Sequence, residues 1–209
     1  MLREGVANGE GAAPEDRSIR DAAGHAVRIR PSAIVESVRC YPAGQIPTDA
    51  RRGDVILIRS RSPLGWLIRA FCRMRYRNGD RRYAYWSHAA IVVAPNRLVE
   101  VHVAGVGLCD FEKYRNLEFH HVRLGLSDAA RLRVAHHAYS SLREPYGVGA
   151  FLLLALAIFL GDSFRVPDND TQGCVALIVR ALQQGGIAFD RYPADMTPAD
   201  LARNLGVLP

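Results

Sequence analysis

A few of the four cysteines and seven histidines of this 209-residue chain stand in settings that acyl-transfer chemistry uses. Cys174 follows Gln172-Gly173 and opens the apolar run Cys174-Val-Ala-Leu-Ile-Val. A thiol where a glycine-containing loop turns into a helix lies beside unpaired backbone amides and the positive end of the helix dipole. That setting lowers a thiol pKa from ~8.5 into the ~3.5–7.5 range and makes a thiolate nucleophile available. The plain alternative is a small packing residue at a helix start. A thiolate attacking an acyl group needs a base to carry protons and a third group to hold the base. His88 begins the strand-like sequence His88-Ala-Ala-Ile-Val-Val, at a strand edge beside polar residues; its alternative is a histidine satisfied by backbone partners. Glu100 interrupts Leu98-Val99-x-Val101, which aims a carboxylate at one face of a sheet, where it needs a partner. His102 faces the same side of that strand and rivals His88 for the carboxylate. The backbone N–H of Cys174 is the expected oxyanion donor, with Gln172 or Tyr146 as a second.

These side chains need elements to position them. Asp54 to Ile58 is a short apolar run after Gly53 and reads as a buried strand. Ser62 caps a helix with Pro63 at its first position, and Leu64, Leu67, Ile68 and Phe71 recur at helical spacing until Asn78-Gly79. Ser87 to Ala94 and Arg97 to Val103 form a hairpin across Pro95-Asn96, which makes a contact between His88 and Glu100 feasible, although the sequence leaves the register open. Leu117 to Leu124 is a further strand. Helices are expected from Asp128 to about Leu142, over Cys174 to Gln184, and after the cap Thr197-Pro198-x-Asp200. The fold class is therefore α+β, a mainly antiparallel sheet packed against helices. Residues 1–45, rich in Gly, Ala and charge at their start, read as a loosely held arm, and residues 46–209 as the catalytic domain.

The remaining candidates point away from metals and cofactors. His120 and His121 are adjacent on a strand and point to opposite faces, and His136 and His137 diverge by about 100° on a helix. With no Cys-x-x-Cys and no His-x-x-x-His, neither zinc nor another cofactor is expected. Cys40, Cys72 and Cys109 read as packing residues.

Several motifs then line up in order: Gly53-Asp54-Val55-Ile56-Leu57, Ser87-His88-x-x-Ile91-Val92, Val99-Glu100 followed by Gly105-Val106, Tyr146, Cys174-Val-Ala-Leu-Ile-Val, and Thr197-Pro198-x-Asp200-Leu201. Together they resemble the permuted papain-like enzymes of the YaeF/YiiX type, which belong with the NlpC-type cysteine peptidases and are related to lecithin:retinol acyltransferase. In that branch the histidine strand precedes the cysteine helix, as here. The resemblance covers roughly Arg52 to Leu205. It implies a circularly permuted papain-like fold with Cys174 as nucleophile, His88 as general base and acid, and Glu100 as the group orienting His88. The expected activity is a hydrolase or acyltransferase acting on an amide or ester, in a cell-wall-type peptide or a lipid acyl group. Many relatives carry Ser-Glu directly after the cysteine where this chain has Val175-Ala176, and the Arg-rich insertion before His88 is long for the family.

The net charge of +6 rests on 27 basic residues, of which Lys113 is the single lysine. Arg69 to Arg82 holds six arginines against Asp80 and so carries +5, which leaves +1 for the other 195 residues. Phe71, Tyr76, Tyr83, Tyr85 and Trp86 interleave with them. This strip supports a rival reading, a non-catalytic module binding nucleic acid or an anionic membrane. In the enzyme reading it edges the cleft and contacts an anionic group of the substrate, and nucleic acid is not favoured. The longest apolar run, Val148 to Leu160, is too short for the ~20 residues of a membrane-spanning helix and reads as core. The N-terminal residues lack the apolar stretch of a secretory signal, so a cytoplasmic protein is expected, with a non-Sec route if it is exported.

Overall fold

The computed structural model describes residues 30–76, 78–102, 105–142 and 174–209, with only the backbone of Asn78 and Cys174. Residues 1–29, Tyr146, the apolar run Val148 to Leu160 and Gln172 lie outside the described residues. Among the described residues the strands are β1 (Val35–Tyr41), β2 (Val55–Ile58), β3 (His88–Ala94), β4 (Arg97–His102), β5 (Gly105–Cys109) and β6 (Phe119–Leu124). The α-helices are α1 (Pro63–Arg75), α2 (Asp128–Ser140), α3 (Cys174–Gln184) and α4 (Pro198–Leu205). The strands form one sheet in the order β1-β6-β2-β3-β4-β5, antiparallel throughout, so the chain is α+β.

The sheet's two faces follow from side-chain alternation. Val55, Leu57, Ala89, Ile91, Val99, Val101, Val122 and Leu124 face a large core shared with Val134 and Ala138 of α2, Ile178 and Leu182 of α3, and Leu201 and Leu205 of α4. Ile56, Ile58, Ala90, Val92, Leu98 and Phe119 face a smaller core closed by Phe111 and Tyr114. The central strand β2 is buried on both faces, which is why it reads as an unbroken apolar run rather than an alternating one.

The hairpin of β3 and β4 turns at Asn96, whose φ of 57° is the left-handed conformation that asparagine tolerates. Its register pairs Ala90 with Glu100 and Ile91 with Val99, so His88 and Glu100 are diagonal neighbours on the smaller-core face. Below them Asp54 knits the sheet to α2. It is fully buried, accepts the Arg51 backbone N–H, and lies 2.9 Å from both His121 Nε2 and Arg131 Nη1.

Two expectations change and one strand is added. The sheet begins before residue 46: β1 pairs along β6 from Val35 opposite Leu124 to Tyr41 opposite Phe119. As an edge strand with mostly exposed side chains, it carries no apolar alternation, and backbone hydrogen bonds hold it in place. β5 forms between Val103 and Leu117, where the sequence assigns no element, since its Gly-Val-Gly start likewise gives no strand pattern. Helix α1 ends at Arg75, short of Asn78-Gly79, and Asn78–Tyr85 winds as a 3₁₀ helix.

Candidate functional site

His88 sits at the first position of β3, paired across to Ile58 of β2, so its ring projects at the end of the sheet. Its Nε2 lies 2.6 Å from Glu100 Oε2. His88 is 19% exposed and Glu100 is 2% exposed, so the imidazole reaches solvent while the carboxylate behind it does not. The Tyr114 hydroxyl donates to that same Oε2, and the Lys113 ammonium donates to Oε1. Burial resists a charge on Glu100, but the hydrogen bond and charge of His88 and the hydrogen bonds from Lys113 and Tyr114 outweigh it and hold the carboxyl well below the ordinary carboxylate range. Glu100 is thus a fixed anion that can keep one imidazole nitrogen protonated and leave the other facing the cleft.

Lys113 and Tyr114 come from the 3₁₀ turn Phe111–Tyr114, which β5 delivers to this corner. Sequence reasoning misses both, because their convergence on Glu100 depends on a strand whose glycines hide it. The single lysine beside a tyrosine is the one clue the sequence offers. His102, the rival partner, lies across β5, where a β-carbon on Gly107 would come within 2.6 Å of its Nε2.

A cleft of about 290 Å³ opens at this end of the sheet, lined by Ser60, Ile68, Ser87, His88, His102 and Lys113 among others. Ile68 and Val101 of its wall belong with the helix-side core, whereas Ile58 belongs with the other, so the cleft wraps around the strand ends rather than lying over one face. Its described lining holds Lys113 but none of the arginines of the Arg69–Arg82 strip. Arg69 reaches the wall from behind, donating from Nη1 to Ser87 Oγ at 3.3 Å and also to the Ser60 carbonyl. Arg73, Arg75, Arg81 and Arg82 are exposed away from the lining, and Arg203 Nη1 pairs with Asp80 at 3.3 Å.

Cys174 is the first residue of α3. The helix packs on β3 and β4, the two strands that carry His88 and Glu100. Its direction is fixed at the far end. The Gln184 carbonyl accepts from Arg133 Nε at 2.9 Å, and a β-carbon on Gly185 would lie 2.7 Å from Val134 Cγ2. Val134 also packs on Gly53, whose N–H bonds to the Val92 carbonyl. The C-terminus of α3 therefore lies by the Val92 end of β3, and its start, Cys174, is directed toward the His88 end. Helix α3 packs on the helix-side face, whereas His88 and Glu100 occupy the opposite one, so the helix start and the imidazole belong to different faces of the sheet.

The other described cysteines are poor nucleophiles. Burial pushes Cys72 up to about 11. Burial and the neighbouring Glu100 push Cys109 up to about 12. Burial and the charge of Glu118 also raise Cys40. Among the described residues no helix is long and apolar enough to cross a membrane. No protein-family model matches the chain, and no curated protein sequence matches it.

Proposed function

We propose that this chain is a cysteine-dependent hydrolase or acyltransferase acting on an amide or ester bond, built on a permuted papain-like fold. The observation that carries the reading is the 2.6 Å contact between His88 and the buried Glu100 at the mouth of a cleft, with the start of the Cys174 helix directed to the same end of β3. Unlike the fully buried pair of His121 and Asp54, this imidazole is part-exposed and lines the cleft, where it can meet a substrate.

In the proposed reaction the Cys174 thiolate adds to the carbonyl carbon, and the carbonyl π electrons move onto oxygen. The helix-start N–H of Cys174 donates to that oxyanion. The intermediate collapses by breaking the bond to the amine or alcohol, which takes a proton from His88 as it leaves. Water, or an acceptor alcohol or amine, then gives a proton to His88 and attacks the acyl-enzyme, and the C–S bond breaks to restore the thiolate. Glu100 stays ionised throughout, holding the ring and stabilising its imidazolium form.

Incubation with a set of activated acyl esters, followed by mass spectrometry of the intact protein and its peptides, tests this directly. An acyl adduct on Cys174, absent from Cys174→Ala and much reduced in His88→Asn, is expected. Hydrolysis that survives in Cys174→Ala would overturn the proposal.

A further inference from the structure

A second cluster of chemically active side chains lies on β1 and at the start of β6, on the helix-side face at the β1 edge of the sheet. Cys40 of β1 pairs directly across from His120 of β6, and Glu118 stands two residues before His120. A sheet places a cross-strand partner and an i, i+2 neighbour on one face. Here a Cys40 sulfur, a Glu118 carboxylate oxygen and a His120 ring nitrogen all lie within 4.8 Å of one another. We propose that Cys40, Glu118 and His120 bind a borderline-soft divalent cation of the Zn²⁺ type with three protein ligands and one open position.

Three features support the assignment besides proximity. His120 is only 7% exposed, and its Nδ1 is buried without a hydrogen-bond partner, so this imidazole is carried into the interior with bonding capacity unused. The outer shell is already built. The Trp86 ring lies edge-on to His120 with centroids 4.5 Å apart, and the Tyr85 hydroxyl donates to both Glu118 oxygens at 2.7 and 2.8 Å, fixing ring and carboxylate as a metal's second shell does. Finally, the Glu118 carboxylate sets a negative charge beside the sulfur that a dication would meet, Arg59 lies 3.8 Å from that carboxylate, and the Cys40 thiol would give up its proton on binding the ion.

The donor set of sulfur, nitrogen and oxygen matches zinc, whose ligands at ~2.0–2.3 Å stand roughly 3.3–3.8 Å apart in a tetrahedron. Closing from 4.8 Å asks for a shift of about 1 Å, within reach of the exposed Cys40 side chain by rotamer adjustment. Histidine pairs do not announce this site in the sequence, because its ligands come from two strands distant along the chain. The bound ion would pin the edge strand β1 to β6, independently of Cys174.

Titration of the full chain with Co²⁺ under a non-thiol reductant reads the site without reference to catalysis. We expect a 1:1 thiolate-to-cobalt charge-transfer band in the near ultraviolet that Zn²⁺ displaces. The band should persist in Cys174→Ala and vanish in Cys40→Ser, while His120→Gln weakens Zn²⁺ binding by more than ~100-fold and Tyr85→Phe by about tenfold, the scale of an outer-shell change. Circular dichroism of each variant separates loss of a ligand from loss of fold, and the exposed Cys40→Ser is the variant least able to disturb the core. A band retained in Cys40→Ser, a band lost only in Cys174→Ala, or no band at millimolar Co²⁺ would overturn the proposal.

Discussion

At the level of single residues the account turns on one buried carboxylate. Glu100 is legible in the sequence as a charge interrupting an apolar strand, and His88 as an imidazole at a strand edge; their contact needed the register, which pairing alone determines. Lys113 and Tyr114 were not legible, because the turn that carries them is placed by tertiary packing. Tyr114 is 4% exposed, and its hydroxyl donates to an ionised acceptor. Hydrogen bonds to charged groups contribute ~1.5–3 kcal/mol. Tyr114→Phe should therefore lower the unfolding free energy by about that much in urea titrations monitored by circular dichroism. A loss below ~0.5 kcal/mol would mean that water replaces the hydroxyl at no cost.

At the level of elements, apolar runs and caps were readable, and edge strands were not. β2, β3, α1, α3 and α4 announce themselves through burial on one or both sides and, for α1 and α4, through Ser62 and the Thr197–Asp200 capping box. β1 and β5 lie at the two edges of the sheet. Their side chains are mostly exposed, part-exposed or glycine, with Val106 the buried exception, so they show little periodicity, and backbone pairing does most to recruit them. The direction of α3 depends on the close approach of Gly185 to Val134 and the Leu182 carbonyl, at 2.7 and 3.0 Å for an added β-carbon. Gly185→Ala should then destabilise the protein by ~1–3 kcal/mol through overpacking. Adding Val134→Ala removes the offending methyl group, so the double variant should be less destabilised than the sum of the two single changes. Strict additivity in a double-mutant cycle would show that the two residues do not set the seat of the helix.

For the whole molecule, the net charge that first suggests nucleic acid resolves into a local strip whose arginines line no part of the described cleft. Stability should instead respond to acid. Asp54 is buried, yet His121, the Arg51 N–H and Arg131 hold its carboxyl below the ordinary range, and Glu100 is lowered in the same way. For groups whose folded pKa is depressed, the unfolded chain binds more protons as pH falls, so their contribution is complete above the unfolded carboxylate values of ~4 and is lost as pH drops through the folded ones. The urea midpoint should therefore hold steady from pH 7 to 5 and fall steeply below pH ~4. Asp54→Asn should flatten part of that fall, and a midpoint unchanged down to pH 2.5 would contradict the charged state assigned to both carboxylates.

The central claim, that His88 and Glu100 serve a nucleophile at Cys174, is tested most directly by competitive iodoacetamide labelling of the four cysteines at pH 6, read peptide by peptide by mass spectrometry. Cys40, Cys72 and Cys109 all carry raised pKa values and should react slowly. Cys174 should be modified well ahead of them, and His88→Asn should slow its labelling at least tenfold, the effect of raising a thiol pKa by about one unit. Equal, slow labelling of all four cysteines, or a Cys174 rate unchanged in His88→Asn, would contradict the account.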